Sequence, residues 1–429
     1  MKEMVVPKRK ASIIINSLSG GVVPRVGLGY LSVGREKEIK ALLNDIKIIE
    51  NGGSVFRLIS GRYGSGKTFL LQTIKEHLLY KGFVVMDCDF TPNRSLVGTG
   101  NRKRGLVTFK NLIANISIKS CQEGGGLESI LEDYFENIYE NSRIDFPLAT
   151  KDELIKYEKK ELSNSLLCVR SLVHGIDFSN IILRYFNAYL NDDIEEKNKI
   201  LKWLRGEYGS KGEVKKELNV FEYITDENWF DYIKLYTTFF NNMGYSGVYI
   251  MFDELVNLYR ITSFNYRLKN YEKILGMYND ALQGRIKKLG IIMAGTPESI
   301  YDSQKGLFSY EALKSRLYVA DTSNHLNNLF NPIITVTELS QSDIIILLEK
   351  ISSIHSIVYD YEQEITIDDI VEFLEYLYEN SNVVITVRSI IRDFLALLNL
   401  KLENNDEEFC ALIGQILISN DEESQYYFK

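Results

Sequence analysis

Residues Gly61 to Thr68 read GRYGSGKT, a complete G-x-x-x-x-G-K-[ST] pattern. It sits directly after the apolar run Val55, Phe56, Leu58, Ile59 and before Phe69, Leu70, Leu71. This order dictates a buried strand, a tight loop and a helix begun by the loop. Glycines at 61, 64 and 66 admit backbone conformations that a side chain forbids, so successive N–H groups point inward at phosphate oxygens. Lys67 adds a point charge and Thr68 a hydroxyl for Mg²⁺. The expected nucleotide-contacting set is therefore Gly61, Arg62, Tyr63, Gly64, Ser65, Gly66, Lys67 and Thr68, with Phe69 beside them. A chain so built binds a nucleoside triphosphate.

Composition bounds the rest. At 429 residues with 45% apolar content, the chain buries a large core and divides into two or three sub-domains. Cys88, Cys121, Cys168 and Cys410 lie far apart and form no ligand spacing with His77, His174, His325 and His355, so neither a zinc site nor a disulfide framework is expected. Cys88 follows an apolar run and reads as a packing residue. With free thiols, no signal peptide and no apolar stretch of about 20 residues, a cytoplasmic protein is expected, with no membrane contact.

A net charge of −8 opposes indiscriminate nucleic-acid binding. One stretch departs from that balance: positions 91–120 hold Arg94, Arg102, Lys103, Arg104, Lys110 and Lys119 and no acid. It is either a solvated loop or a contact for DNA, RNA or an acidic partner, with Arg102, Lys103 and Arg104 as the DNA-contact candidates.

Periodicity predicts helices over 11–19 and 35–47, a strand over 55–60, a helix over 67–80 and a strand over 83–87, together a βαβ unit. Strands resume at 247–252, 290–293 and 333–337. The intervening 91–246 show helical spacing, at 127–139, 181–190 and 196–203, and read as a mainly helical insertion. Helices over 343–354, 367–378, 387–400 and 407–417, linked by polar turns such as Asn380-Ser381-Asn382, make a C-terminal helical lobe. The expected fold class is α/β: a phosphate-loop parallel sheet split into 1–90 and 247–338, the insertion 91–246, and a helical lid over 339–429.

The strand 248–252 ends in Asp253-Glu254. Alternation points adjacent side chains apart, so the two acids take separate roles. Asp253 holds Mg²⁺ through water, complementing Thr68, and Glu254 polarises the attacking water as general base. Thr296, ending the strand at 291–295, either touches the γ-phosphate or the water, or is a turn residue before Pro297. Arg316 is placed to reach a neighbouring subunit's γ-phosphate and Arg388 to close the C-terminal lobe on the nucleotide. For both, a surface salt-bridge role is the other reading.

These residues resemble an AAA+ ATPase, most strongly the origin-recognition-like and STAND-like branch. Val33-Gly34-Arg35-Glu36-x-Glu38-Ile39 is similar to that branch's segment before the first strand, which implies that Gly34 and Arg35 lie near the adenine. GRYGSGKT resembles Walker A, IMFDEL (250–255) Walker B, Thr296 the sensor 1 position, Arg316 an arginine finger and Arg388 sensor 2. A resemblance over nearly the whole chain is to the ATP-binding proteins of bacterial BREX-type phage-defence loci, of the BrxD kind. It rests on Gly21-Val22-Val23-Pro24-Arg25-Val26-Gly27-Leu28, GRYGSGKTFLLQ, Asp253-Glu254-Leu255-Val256-Asn257-Leu258-Tyr259, Asn270-Tyr271-Glu272-Lys273-Ile274, Ala294-Gly295-Thr296-Pro297-Glu298 and Tyr310-Glu311-Ala312-Leu313-Lys314-Ser315-Arg316-Leu317. The resemblance implies an accessory ATPase of an anti-phage system, often encoded beside a helicase.

The expected activity is thus Mg²⁺-dependent ATP hydrolysis, with ATP and Mg as cofactors, in a switch whose nucleotide state controls engagement of DNA or a defence protein. An arginine finger acting in trans implies a homo-oligomer. The alternative is a nucleotide-gated assembly scaffold with negligible hydrolysis. A processive motor ranks below both, since no helicase motif series is visible.

Overall fold

The computed structural model describes residues 6–98, 100, 102–318, 330–381, 385–404 and 406–415. Asn382 of the expected polar turn and positions 416–417 of the last expected helix lie outside them.

The chain begins with α1 (Lys8–Ser19) and α2 (Glu36–Glu50), then β1 (Val55–Ser60), α3 (Lys67–Tyr80) and β2 (Val84–Asp89). Eight helices follow: α4 (Arg104–Ala114), α5 (Leu127–Asp145), α6 (Lys151–Ser165), α7 (Leu167–Arg170), α8 (Gly175–Leu190), α9 (Ile194–Leu204), α10 (Lys211–Leu218) and α11 (Trp229–Asn242). Then come β3 (Val248–Asp253), α12 (Val256–Tyr259), α13 (Phe264–Leu282), β4 (Leu289–Gly295), α14 (Pro297–Tyr301), α15 (Glu311–Leu317) and β5 (Ile333–Thr335). The C-terminal helices are α16 (Gln341–Tyr359), α17 (Ile367–Asn380), α18 (Val387–Glu403) and α19 (Phe409–Ile413). Among the described residues no helix is long and apolar enough to cross a membrane.

The five strands form one all-parallel sheet in the order β2-β3-β4-β1-β5. Val84 of β2 registers with Val248 of β3, and Val248 with Leu289 of β4. The strands buried at every residue, β1, β3 and β4, take the interior, whereas β2 and β5, which carry exposed positions, take the edges. Continuous apolar runs suit strands covered on both faces, and mixed ones suit edges. The βαβ reading of 55–87 is refined accordingly: β1 and β2 share the sheet but are not neighbours, because β3 and β4 pair between them.

Two compact units divide the chain. One comprises Met1–Leu42, Ile59–Glu76 and Ile334–Lys429, the other Leu43–Leu58 and His77–Ile333. In the first, the α1 residues Ala11, Ile14, Ile15 and Leu18, spaced for one helix face, join Leu348, Ile351, Phe373, Phe394 and Leu398 in a single core. Its helices α16, α17 and α18 each start with a capping box, Ser340 with Asp343, Thr366 with Asp369 and Thr386 with Ser389. Such a box satisfies two backbone N–H groups that the first turn leaves without partners.

In the second unit, Met86, Ile250, Phe252 and Ile291 of the sheet share one core with Phe109, Phe135, Trp203, Trp229 and Tyr236 from the helices between β2 and β3. Arg57 interrupts the apolar β1. Its Nε and Nη2 donate to the Asp45 carboxylate, both at 2.6 Å, and Nη1 donates to the carbonyls of Phe330 and Asn331. The pair is buried, and these bonds compensate the charges that burial strips of water.

Candidate nucleotide site

The phosphate loop lies in the first unit. Gly64 and Gly66 take φ of 77° and 89°, left-handed values that glycine reaches without strain. The ammonium of Lys67 donates to the carbonyls of Gly61 at 2.8 Å and Arg62 at 2.9 Å, and lies 5.4 Å from the centre of the Tyr63 ring. Arg62, Tyr63, Gly64 and Thr68 are exposed while Ser65 is buried, so the loop turns one side to solvent and seats the other on the fold. No acid occurs in the first turn of α3. The positive end of that helix is thus kept for an anion. The loop therefore fits a nucleotide's phosphates: it has a left-handed glycine turn, an ammonium resting on carbonyls that a phosphate can displace, and an acid-free helix start.

Two further elements of the same unit touch the loop. A Cβ added at Gly64 would lie 3.2 Å from Cβ of Thr386, so the start of α18 rests on the loop. Arg388, two residues on, is exposed, and its side-chain stem packs over Gly21. Arg35 is 3% exposed, and its Nη2 donates to the carbonyls of Ser65 and Thr337, both at 2.6 Å. Burial lowers the Arg35 pKa, and Glu38, Asp343 and Glu36 oppose that shift. Glu38 stands 3.8 Å from its Nη1. Gly34 takes φ 65° beneath the carboxylate of Asp343.

The acid pair lies in the second unit, at the end of β3. Asp253 is 7% exposed, and its Oδ1 accepts the N–H of Glu254 at 2.8 Å. Glu254 has φ 57°, a left-handed backbone that costs a non-glycine residue on the order of 1–3 kcal/mol. Bonds of its flanking residues hold it there. Leu255 N–H donates to Ala294 O, Phe90 N–H to Asp253 O, and the Asn257 amide to Phe90 O at 2.8 Å. The buried carboxylate at 253 is an oxygen donor of the kind a hard cation takes.

Thr296 is buried and caps α14, its hydroxyl accepting from Ser299 N–H at 3.4 Å. Arg316 is exposed and donates to Ala312 O of its own helix at 2.8 Å. In the cationic stretch, Arg102 and Lys103 are exposed, whereas Arg104 is half-buried, donates to the Tyr266 hydroxyl at 3.2 Å and lies over its ring. Cys88 is buried as expected, and burial pushes its thiol up to about 12. Sequence reasoning missed Thr386, Asn257 and the strained φ of Glu254. The first two are ordinary polar residues whose roles come only from distant chain segments. A left-handed glutamate has no compositional signature.

Among curated proteins, nothing matches the chain. A family model described as BREX system ATP-binding protein BrxC/D matches residues 6–416, nearly the full length and both units. With its phosphate loop and the strained acid turn placed inside that match, the chain belongs to the family of BREX system ATP-binding proteins BrxC/D.

Proposed function

We propose that this protein is a Mg²⁺-dependent ATPase of the AAA+ type serving a BREX phage-defence system, a switch whose nucleotide state controls engagement of a partner protein or DNA. The loop amides and Lys67 bind the β- and γ-phosphates. Glu254 accepts a proton from water as the new O–P bond forms and ADP leaves with the electron pair of the broken bond. Thr68 and, through water, Asp253 would hold Mg²⁺, which would supply positive charge against the phosphate oxygens. Thr296 orients the γ-phosphate or the water, Arg388 senses the nucleotide, and Arg316 acts on a neighbour's nucleotide in an oligomer.

One observation favours hydrolysis over binding alone: Glu254 sits at φ 57° between residues bonded to Ala294 of β4 and to Phe90 after β2. Strain of this kind persists where a side chain must be aimed. Steady-state phosphate release, wild type against Glu254→Gln, tests the assignment. A fall of about 10²-fold or more is expected on losing a general base. Equal rates remove Glu254 from the mechanism.

DNA engagement is assigned to the exposed Arg102 and Lys103, with Arg104 behind them. Phosphate contacts weaken steeply with salt. Retardation of DNA that ignores both added salt and the Arg102→Ala, Lys103→Ala double variant excludes this surface. Mass measurement with and without a slowly hydrolysed ATP analogue tests assembly: a mass that stays monomeric in both removes the trans role of Arg316.

A further inference from the structure

The geometry points to Arg35 as a strut that transmits the state of the phosphate loop to the C-terminal helices, a positioning residue that does not contact nucleotide. It rests on the reading above, that nucleotide fills the loop.

Arg35 reaches two backbone carbonyls that belong to different parts of the machine. Ser65 O is inside the phosphate loop, and Thr337 O is on the link between β5 and α16. Both bonds come from Nη2, and a Cβ added to Gly66 would sit 3.7 Å from that same nitrogen, so the guanidinium lies flush against the loop's buried side. The exposed side, with Arg62, Tyr63, Gly64 and Thr68, is the one open to a ligand. At 3% exposure Arg35 has no free face of its own to offer a base or ribose.

The segment carrying Arg35 is tied to α16 at two further places. Lys350 donates to Ser32 O at 2.7 Å. The carboxylate of Asp343, itself fixed by the capping box with Ser340, covers Gly34 so closely that a Cβ there would meet Oδ2 at 2.7 Å. On the strand side, Val336 N–H donates to Ser60 O at 2.7 Å, one residue before the loop begins. The link from β5 to α16 is thus held between the loop and the Ser32–Arg35 segment. When phosphate draws the loop amides inward, the Ser65 peptide turns with them. Arg35 is fixed by two short charge-assisted bonds and passes that displacement to Thr337 and the first turn of α16.

Backbone hydrogen exchange on the full chain tests this, with and without Mg²⁺ and a slowly hydrolysed ATP analogue at concentrations that calorimetry shows to be saturating for each variant. In the wild type, amides in the first turn of α16 are expected to slow by about fivefold or more on nucleotide binding. In Arg35→Met, which keeps the stem and loses the donors, exchange there is expected to be the same with and without nucleotide. A purely structural role would speed exchange equally in both states and leave the wild-type ratio intact, and that result overturns the strut. Arg35→Lys has a shorter reach and no planar fork, and is expected to show a reduced ratio; a full ratio overturns the proposal. The wild type alone is also decisive. Nucleotide heat without any response in α16 refutes the strut and leaves ATP binding standing, while no heat at all refutes the ATP reading on which it rests.

Discussion

The phosphate loop and the acid turn solve one problem by opposite means. Both need left-handed backbone at the end of a parallel strand. In the loop it falls on Gly64 and Gly66, which adopt φ of 77° and 89° at no steric cost. In the acid turn it falls on Glu254 at φ 57°, a non-glycine residue that bears the strain and whose carboxylate is the proposed general base. The loop can therefore stay open on one side, with its conformation built in locally. The turn has to be forced, by Ala294 of β4, by Phe90 after β2 and by Asn257 within the turn. A glycine loop is shaped by its own residues, and a strained acid by its neighbours.

Replacing the two kinds of residue with each other's solution breaks or sharpens this contrast. The largest effect is expected for Glu254→Gly. Phosphate release should fall by about 10²-fold or more as the base is lost. The same variant should unfold at higher denaturant, gaining about 1 kcal/mol as strain is relieved and partly offset by glycine's greater unfolded entropy. A loss of stability would show that the turn is unstrained.

Cutting the support of the loop strand comes next. Asp45→Ala leaves the buried Arg57 charge on β1 without its carboxylate partner, and equilibrium unfolding should register a loss of about 3–5 kcal/mol. Gly64→Ala should cost about 1–3 kcal/mol through its left-handed φ and the crowding of Thr386, and should weaken ATP binding in calorimetry. An unchanged affinity would mean that the loop does not need that backbone.

The smallest effect is outside both features. Glu158 is 2% exposed and burial raises its carboxyl pKa. The folded state therefore binds its proton more tightly than the unfolded state, so ionisation at higher pH costs stability. Glu158→Gln should be more stable than wild type near neutral pH, and thermal melts at falling pH should show that advantage disappear below the ordinary carboxylate range.

Much of the architecture was legible because it is written in local patterns. The bounds of β1 and α3 follow from an unbroken apolar run and a glycine loop, and the structure places both at the residues the pattern indicates. All five strands were visible as apolar runs, but their order was not, since pairing of β3 and β4 between β1 and β2 depends on contacts across long chain separations. Helices such as α11 and α13 escaped the periodicity reading. In α11, buried aromatic residues crowd nearly every face from Trp229 to Phe240, which blurs the apolar stripe. The residues that hold the candidate site divide the same way. Lys67 and Thr68 are announced by spacing, while the contacts of Arg35, Thr386 and Asn257 arise only when distant segments meet.

The most direct measurement is calorimetric titration of Mg²⁺·ATP into folded protein, alongside the Lys67→Ala variant. Saturable heat from one site per chain is expected for the wild type, with affinity reduced by about 10²-fold or more once the charge-assisted contacts of the ammonium are gone. A wild type that gives no heat, or a Lys67→Ala protein that binds as tightly, would contradict the account.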